Sequence, residues 1–243
     1  MSKQLFNEQQ LLKELLEAGA YFGHRTSSWN PKMAPYIYGV RNKIHIINLD
    51  YTVQQMVSAL NVVHNLVAKG GKILFVATKY QVDQLVADAA ESCNMPFVTH
   101  RWLGGMLTNF TTVISSLKKL ATKTAELTGA EENSLTKKQI IDLNHDIDKI
   151  ERNIGGIKNM NKLPDMLFVF DVNLNKIAVA EANKLGIPVV AILDTNSDPD
   201  GITYPIVGND DSEKSINLYL KYFVNTILAA SNIEEQIKPI VNN

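Results

Sequence analysis

Two kinds of sequence meet at the stretch HRWLGGMLTN, residues 100–109. Strand and helix patterns alternate before it, and a long helical pattern that doubles back on itself follows it. A Gly-Gly pair permits positive φ, so Gly104-Gly105 predicts a forced turn. Thr108 or Asn109 can then cap the next helix, because a short side-chain oxygen accepts from an N–H of the first turn. A second pair, Gly155-Gly156, ends the helical segment, and we therefore predict an α/β body with a helical hairpin inserted between two glycine hinges.

Short apolar runs indicate the strands of this body. The runs Lys72–Ala77, Met166–Phe170 and Val189–Leu193 are typical of parallel strands buried on both faces. Shorter strands are predicted at Met95–Val98 and Pro205–Val207. Helical patterns with one apolar face surround them, at 5–18, 51–69, a segment that ends near 92, 175–185 and 212–230. The alternation predicts a three-layer α/β fold with a mostly parallel sheet and right-handed crossovers.

The insertion has the clearest periodicity. Apolar residues in its second helix step four-three in strict alternation from Ile140 to Ile157, which is the pattern of a coiled-coil seam. A similar stripe runs from Phe110 to Leu127 in the first helix. Gly129–Leu135 is the polar tip, and Thr136 with Gln139 has the spacing of a capping box. Each helix has about 18 residues, so the arm would project roughly 27 Å. The predicted domains are 1–104 with 157–231 as the α/β body, 105–156 as the coiled-coil hairpin, and 232–243 as a tail.

Composition excludes several classes of protein. The 243 residues are 45% hydrophobic and 20% charged, as in an ordinary globular protein. The single Cys93 excludes an internal disulfide, fits a reducing compartment, and is more typical of a small buried residue than of a nucleophile. No apolar run approaches the roughly 20 residues that span a bilayer. The polar start of the chain has no signal or transit pattern, so we expect a cytoplasmic protein.

A formal net charge of −1 hides an uneven distribution of charge. Between Tyr21 and Leu49 the chain carries only positive charges and no carboxylate. These cations are Arg25, Lys32, Arg41 and Lys43, with His24 and His45 in addition. Aromatic residues between them suit RNA, because rings stack on unpaired bases while cations meet phosphate. The same aromatics would equally form a core cluster over the sheet edge. A small hairpin is predicted here, with Tyr36–Tyr38 and Ile44–Ile47 paired around Arg41-Asn42-Lys43.

Catalytic motifs are absent from the sequence. It has no glycine-rich phosphate loop, no nucleophile elbow, and no histidine pair at metal-ligand spacing. The best candidate is the loop Asp194–Asp200, which follows a buried strand. Asp194, Asp198 and Asp200 could hold Mg²⁺ beside Thr78 and Lys79. The alternative is an Asp- and Asn-rich turn that caps its own backbone.

Six motifs in order resemble the small-subunit ribosomal protein two family of bacteria and organelles. They are FGH at 22–24, WNPKM at 29–33, RWLGGMLTN at 101–109, GGIK at 155–158, LPD at 163–165 and DTNSDPD at 194–200. The resemblance spans about Leu12 to Ser231. It implies a flavodoxin-like αβα sandwich with an inserted antiparallel coiled-coil hairpin. It also implies a non-enzymatic, structural constituent of the small ribosomal subunit that acts in translation, without a cofactor or small-molecule substrate.

The resemblance implies two kinds of partner, small-subunit ribosomal RNA and neighbouring small-subunit proteins. The latter include the large mRNA-binding protein one. The expected location is the cytoplasmic ribosome, with an organellar ribosome as the alternative. Expected RNA contacts are His24, Arg25, Lys32, Arg41, Lys43, Lys79, Arg101, Lys118 and Lys119. Three aromatic residues could either stack on bases or belong to the core: Trp29, Tyr36 and Trp102. Two histidines, His24 and His100, could either contact phosphate or be buried.

Two departures from the family pattern affect these expectations. Ala77 stands where the family usually has Gly in the motif Phe-Val-Gly-Thr-Lys, which restricts a close approach at that strand end. The first hairpin helix is less basic, because Thr111, Thr112, Ser115 and Ser116 occupy places where relatives often carry Lys or Arg. Two alternative functions stay open. One is a flavodoxin-like enzyme that uses Asp194–Asp200 with a metal or a nucleotide; separately from it, the same loop could hold a structural Mg²⁺. The other is a coiled-coil scaffold that binds no RNA.

Overall fold

The computed structural model describes residues 7–128 and 137–231. Its helices are α1 Glu8–Ala18, α2 Leu49–Val67, α3 Asp83–Ser92, α4 Phe110–Thr128, α5 Lys137–Ile154, α6 Lys176–Leu185 and α7 Glu213–Ala230. Its strands are β1 Phe22–Arg25, β2 Ile37–Arg41, β3 Ile44–Ile47, β4 Ile73–Val76, β5 Phe97–Val98, β6 Met166–Phe170, β7 Val189–Leu193 and β8 Tyr204–Val207. Short 3-10 helices cover Pro31–Tyr36 and Gly155–Ile157.

The main sheet contains the strands that the apolar runs predicted. Its order is β5-β4-β6-β7-β8, and every pair is parallel. Counted along the chain within this sheet, the order is 2-1-3-4-5, which is the strand order of flavodoxin. The predictions of an α/β fold and of a mostly parallel sheet are therefore confirmed.

Helices cover both faces of this sheet. Ile73, Phe75 and Phe168 point into one core, which α2, α3 and α7 cover and α1 borders. The ring of Phe168 stacks on Phe223 of α7, with centroids 4.1 Å apart. The alternate residues, among them Leu74, point into a second core with α6. Two buried faces explain why these strands have no polar alternation.

A second, three-stranded antiparallel sheet has the order β1-β3-β2. The predicted hairpin is confirmed as β2 and β3, joined through Asn42 and Lys43 with φ of 50° and 62°. Two successive positive φ values match the right-handed twist of the strands that they join. The third strand, β1, escaped the sequence analysis because Phe22–Arg25 has no alternating pattern. Pro31 and Pro35 disfavour an α-helix in this segment, and the 3-10 helix Pro31–Tyr36 forms in its place.

The inserted segment forms two helices that run side by side in opposite directions. Lys123 of α4 pairs with Asp146 of α5, while residues at the start of α4 and the end of α5 pack together at the root. Phe110, Val113 and Ile150 pack against the second core. Coiled-coil packing along the seam stays a prediction, as do the domain limits 105–156. The tip Gly129–Leu135, the cap at Thr136, the side chain of Leu127 and the tail 232–243 lie outside the described residues.

The two glycine pairs have different physical roles. In the first pair the positive φ, +90°, is at Gly105, and a Cβ on Gly104 would meet open space. The predicted turn at Gly104-Gly105 is present, and Gly105 is its left-handed residue. Gly155 and Gly156 do not have positive φ but begin a 3-10 helix. A Cβ on Gly156 would lie 2.3 Å from the carbonyl oxygen of Phe97, so this glycine allows a close approach to the edge strand β5.

The carboxylate of Glu181, on α6, fixes the stretch that leads into the hairpin. Its Oε1 accepts from the Trp102 indole N–H at 3.1 Å and from the Gly105 N–H at 2.8 Å. Its Oε2 accepts from the Leu107 N–H, the Thr108 N–H and the Thr108 hydroxyl, each at 3.0 Å. Burial alone would raise the pKa of Glu181, but these hydrogen bonds outweigh it and lower the pKa. The stabilisation is present above the ordinary pKa and is lost as pH falls through the lowered one.

We expect Glu181→Gln to lower the free energy of unfolding by about 2–4 kcal/mol, because an amide donor would then face backbone donors in a buried site. Urea unfolding at neutral pH measures the loss. Glu91→Gln, an exposed acid on α3, is the matched control. Equal stability of the two variants would contradict the proposed role of the carboxylate.

Candidate functional site

Polar loops gather at the carboxyl edge of the parallel sheet. Thr78 and Lys79 follow β4, Asp171 follows β6, residues 194–200 follow β7, and residues 208–211 follow β8. The carboxyl ends of parallel strands form the usual ligand edge of such sheets. Here the small sheet lies against this edge, because the His24 N–H donates to the Thr195 hydroxyl at 2.8 Å.

Thr195 is the anchor between the two sheets, and the sequence analysis missed it. Its carbonyl oxygen accepts from the Asn30 N–H at 2.8 Å. A Cβ on Gly23 would lie 2.6 Å from the Thr195 methyl carbon, so only glycine allows this approach. The Asp- and Asn-rich loop is therefore partly a turn that caps itself and partly a docking point for β1.

His24 lies between two carboxylates. Its Nδ1 is 3.1 Å from Asp194 Oδ2 and its Nε2 is 3.5 Å from Asp211 Oδ2. The bond to Asp194 raises the pKa of His24 to about 9, against the opposing effect of burial and with help from the charges of Asp211 and Asp210. The imidazole is therefore positively charged at neutral pH. Lys79 pairs with Asp211 on the other side.

Asp210 is, with Asp194, one of two buried acids in this cluster. Burial, then the negative charges of Asp194 and Asp171, raise the pKa of Asp210 well above its ordinary value. Ligand atoms of His24, Asp194, Asp210 and Asp211 all lie within 4.8 Å of one another. Carboxylate and imidazole groups at this separation are the donor set of a divalent cation once the His24 imidazole has lost its proton. Among residues 7–128 and 137–231 this is the grouping that could hold a metal.

The three predicted metal candidates are not brought together. Asp194 belongs to the His24 cluster, whereas Asp198 and Asp200 bind the Lys32 ammonium, Asp198 at 3.0 Å. These bonds, first to Asp200 and then to Asp198, raise the pKa of Lys32. The acidic loop thus neutralises a lysine that the sequence analysis assigned to RNA.

Three other predicted cations stay free at the end of the small sheet. Arg25 and Arg41 both pair with Ile44, from opposite sides of β3, so their side chains share one face. Lys43 occupies the adjoining turn. All three are exposed, and no carboxylate of the described residues lies within ion-pair distance of them. Arg101, Lys118 and Lys119 are likewise exposed, but they lie on the hairpin and its approach, away from this sheet.

The aromatic candidates divide between core and surface. Trp102 is buried and bonded to Glu181, so it belongs to the core. Tyr36 packs edge-on against Tyr51, with ring centroids 5.6 Å apart. Trp29 is 36% exposed and lies 5.0 Å from the ring of His45. Of the two histidines, His24 is half-buried and paired, while His100 is exposed, contrary to the expectation of a buried residue.

An open apolar groove covers the outer face of the small sheet. Its volume is about 630 Å³, and Phe22, Tyr38, Ile44 and Ile46 line it with Arg41 at one end. Phe22 is 43% and Tyr38 is 81% exposed. Phe22 and Tyr38 belong to the aromatic segment noted in the sequence, but their common face depends on β1, which has no alternating pattern to predict it.

The sequence model described as ribosomal protein S2 matches residues 15–230. The chain belongs to the ribosomal protein S2 family. It is 49% identical over 223 residues to small ribosomal subunit protein uS2 of Granulibacter bethesdensis, covering 92% of this chain and 86% of that protein. It is 51% identical to the uS2 protein of Acidiphilium cryptum, in an alignment that covers 92% of this chain and 87% of that protein. It is 48% identical to the uS2 protein of Rhodospirillum centenum, in an alignment that covers 89% of this chain and 83% of that protein.

Family membership confirms the resemblance that the six sequence motifs indicated. The ribosomal protein S2 family is structural and is not known for enzymatic activity or for a cofactor. No helix among the described residues of this S2 chain has the length and hydropathy to cross a membrane.

We expect the free energy of unfolding to fall by about 2 kcal/mol between pH 6.5 and 9. The pKa of His24 is raised on folding, so its contribution is full below the unfolded value and is lost as pH rises through about 9. This loss of unfolding free energy is smaller than the whole pKa shift would give, because the ring is partly exposed and solvent screens its charge. Proton NMR of the ring measures the pKa directly. Asp211→Asn should lower it, and a ring that titrates near 6.5 in the native chain would refute the charged imidazole.

Proposed function

We propose that this chain is a structural constituent of the small ribosomal subunit, where it binds ribosomal RNA and neighbouring ribosomal proteins. The match to the ribosomal protein S2 family over residues 15–230 carries this proposal. The enzyme alternative has no support among the relatives, and its loop 194–200 instead anchors the small sheet and binds Lys32. The expected location is the cytoplasmic ribosome.

Co-migration with the small subunit tests this function. Extract is fractionated on sucrose gradients at low and moderate salt, and the chain is followed by immunodetection. Migration with the small subunit at both salt concentrations is expected. A free population at every salt concentration would overturn the proposal. Thermal stabilisation of the purified chain by a nucleotide with Mg²⁺ would then support the enzyme alternative.

We infer that Arg25, Arg41 and Lys43 form the main phosphate contact of the α/β body. They are exposed and gathered at one end of the small sheet, and no carboxylate of the described residues pairs with them, so binding phosphate breaks no ion pair in that part of the chain. His24, Lys32 and Lys79 also stay in the proposed RNA set. Their charges already face carboxylates, so their net contribution to RNA affinity should be smaller.

Replacing Arg25, Arg41 and Lys43 together by Gln should reduce the salt dependence of RNA binding. The slope of log K against log salt should fall in magnitude by about three, because about one counterion is released for each lost cation. Sedimentation with small subunits that lack this chain measures K. Lys32→Gln is the matched control, since this lysine is already paired. A loss of slope in Lys32→Gln equal to that in Arg41→Gln would contradict the ranking.

We also infer that the groove over the outer face of the small sheet receives a neighbouring small-subunit protein. Large exposed apolar surface bordered by charge is typical of protein interfaces. The groove is lined by Phe22, Tyr38, Ile44 and Ile46, which suits a segment with apolar side chains. The large mRNA-binding protein one is the proposed neighbour.

Tyr38→Ser should leave this chain on the subunit and reduce retention of one neighbouring protein about tenfold, as loss of a central aromatic contact does in many interfaces. Quantitative mass spectrometry of gradient-purified subunits measures the retention. Tyr80→Ser is the matched control, because Tyr80 is 90% exposed and lies outside the groove. Unchanged protein composition in the Tyr38 variant would exclude the groove as a docking site.

A further inference from the structure

The outward side of α4 carries a row of hydroxyl and ammonium groups, and a second row beside it lines the groove between α4 and α5. Residues three and four apart lie on one side of a helix, so the rows follow from the sequence. The first row is Thr111, Ser115, Lys118 and Thr122, and the second is Thr112, Ser116, Lys119 and Lys123. The first row points away from α5, because the apolar stripe through Val113 and Leu117 packs on the opposite side. It extends over about 16 Å of helix.

The hydroxyl protons in these rows are already used locally, by carbonyl oxygens of the helix or, for Thr111 and Thr112, by the side chain of Asn109 just before it. Ser115 donates to the Thr111 carbonyl at 3.0 Å, Ser116 to the Thr112 carbonyl at 3.1 Å, and Thr122 to the Lys118 carbonyl at 3.1 Å. The Thr112 hydroxyl donates to Asn109 Oδ1 at 2.9 Å. A hydroxyl has one proton and two lone pairs. The exposed oxygens of these side chains therefore present acceptors to a partner.

The two helices of the hairpin differ in their charged residues. Helix α4 contains three lysines and one carboxylate in its sequence, whereas α5 contains four carboxylates and four cations. Asp146 of α5 forms an ion pair with Lys123 of α4 and so neutralises that lysine. Lys118 and Lys119 are exposed, and no carboxylate in the described part of the chain is within ion-pair distance of either. The net charge of α4 therefore favours contact with a polyanion more than the net charge of α5 does.

We propose that the outer surface of α4 binds the shallow minor groove of double-helical RNA. Its hydroxyl oxygens accept from ribose 2′-hydroxyl groups, while Lys118 and Lys119 contact the flanking phosphates. The minor groove of A-form RNA is wide and displays 2′-hydroxyls, which both donate and accept. Phosphate oxygens accept only, so they match the ammonium groups and not the committed hydroxyls. DNA has no 2′-hydroxyl, and the surface therefore selects RNA. This inference rests on the proposed ribosomal function and names the ligand of one of its surfaces.

Binding of the full chain to an RNA duplex and to a DNA duplex of the same sequence tests the proposal. Fluorescence anisotropy is measured across a salt series for three variants. The first combines Thr111→Ala, Ser115→Ala and Thr122→Ala, which favours the helix because alanine has the highest helix propensity. The second combines Lys118→Ala and Lys119→Ala. The third, Ser92→Ala, is the control, since Ser92 is an exposed hydroxyl on α3 that likewise donates to a helix carbonyl.

The alanine triple variant should lose about tenfold in affinity for RNA, with the salt slope and the DNA affinity unchanged. The lysine double variant should lower the slope by about two for both duplexes. Wild-type RNA affinity in the triple variant, or an equal loss on RNA and DNA, would overturn the proposal. Gradient co-migration of the wild-type chain is measured in parallel. If the wild type migrates with the small subunit while the triple variant binds RNA normally, this inference fails alone and the proposed function stands.

Discussion

The carboxylate of Glu181 is the constraint on which the relation between body and hairpin depends. Five donors from residues 102–108 converge on its two oxygens, so the backbone there has one low-energy path. Gly105 supplies the left-handed φ that this path needs, and Trp102, Met106 and Leu107 fill the core beneath it. An apolar side chain at position 181 could not satisfy these donors. The direction in which α4 leaves the body is therefore set by one buried anion on α6.

The acidic carboxyl edge of the sheet performs the corresponding task for the small sheet. His24 lies between Asp194 and Asp211, Lys32 binds Asp198 and Asp200, and Thr195 accepts from the backbone of β1. Cations of the small-sheet segment thus neutralise the acids of the body, which explains how a basic segment exists in a chain of net charge −1. The cations left over lie on the side away from the acids. Neutralisation therefore leaves a surface that carries positive charge on one side only.

The parts of the fold that depend on local pattern could be predicted from the sequence. Continuous apolar runs predicted β4, β6 and β7, because strands buried on both faces have no polar alternation. Apolar residues at steps of three and four predicted α4 and α5, because such a helix buries one stripe of its surface. No comparable pattern predicts the strand β1 or shows that the left-handed φ is at Gly105 and not at Gly104. Glu181 and Thr195 were missed for a related reason: each acts on residues far away in the chain, and a single Glu or Thr in an amphipathic pattern gives no sign of its partners.

Charge counting failed where it ignored the partners of each cation. The sequence analysis treated Lys32 and Arg41 alike, yet one lies against two carboxylates and the other projects into solvent. The hydroxyls of α4 show the opposite effect. By charge alone they weaken this helix as an RNA contact, but their protons are held by the helix carbonyls, which leaves acceptors pointing outward. A surface with few cations and many hydroxyls of this kind has a smaller salt-dependent affinity for nucleic acid. It discriminates better between RNA and DNA, because only RNA supplies a donor at the 2′ position.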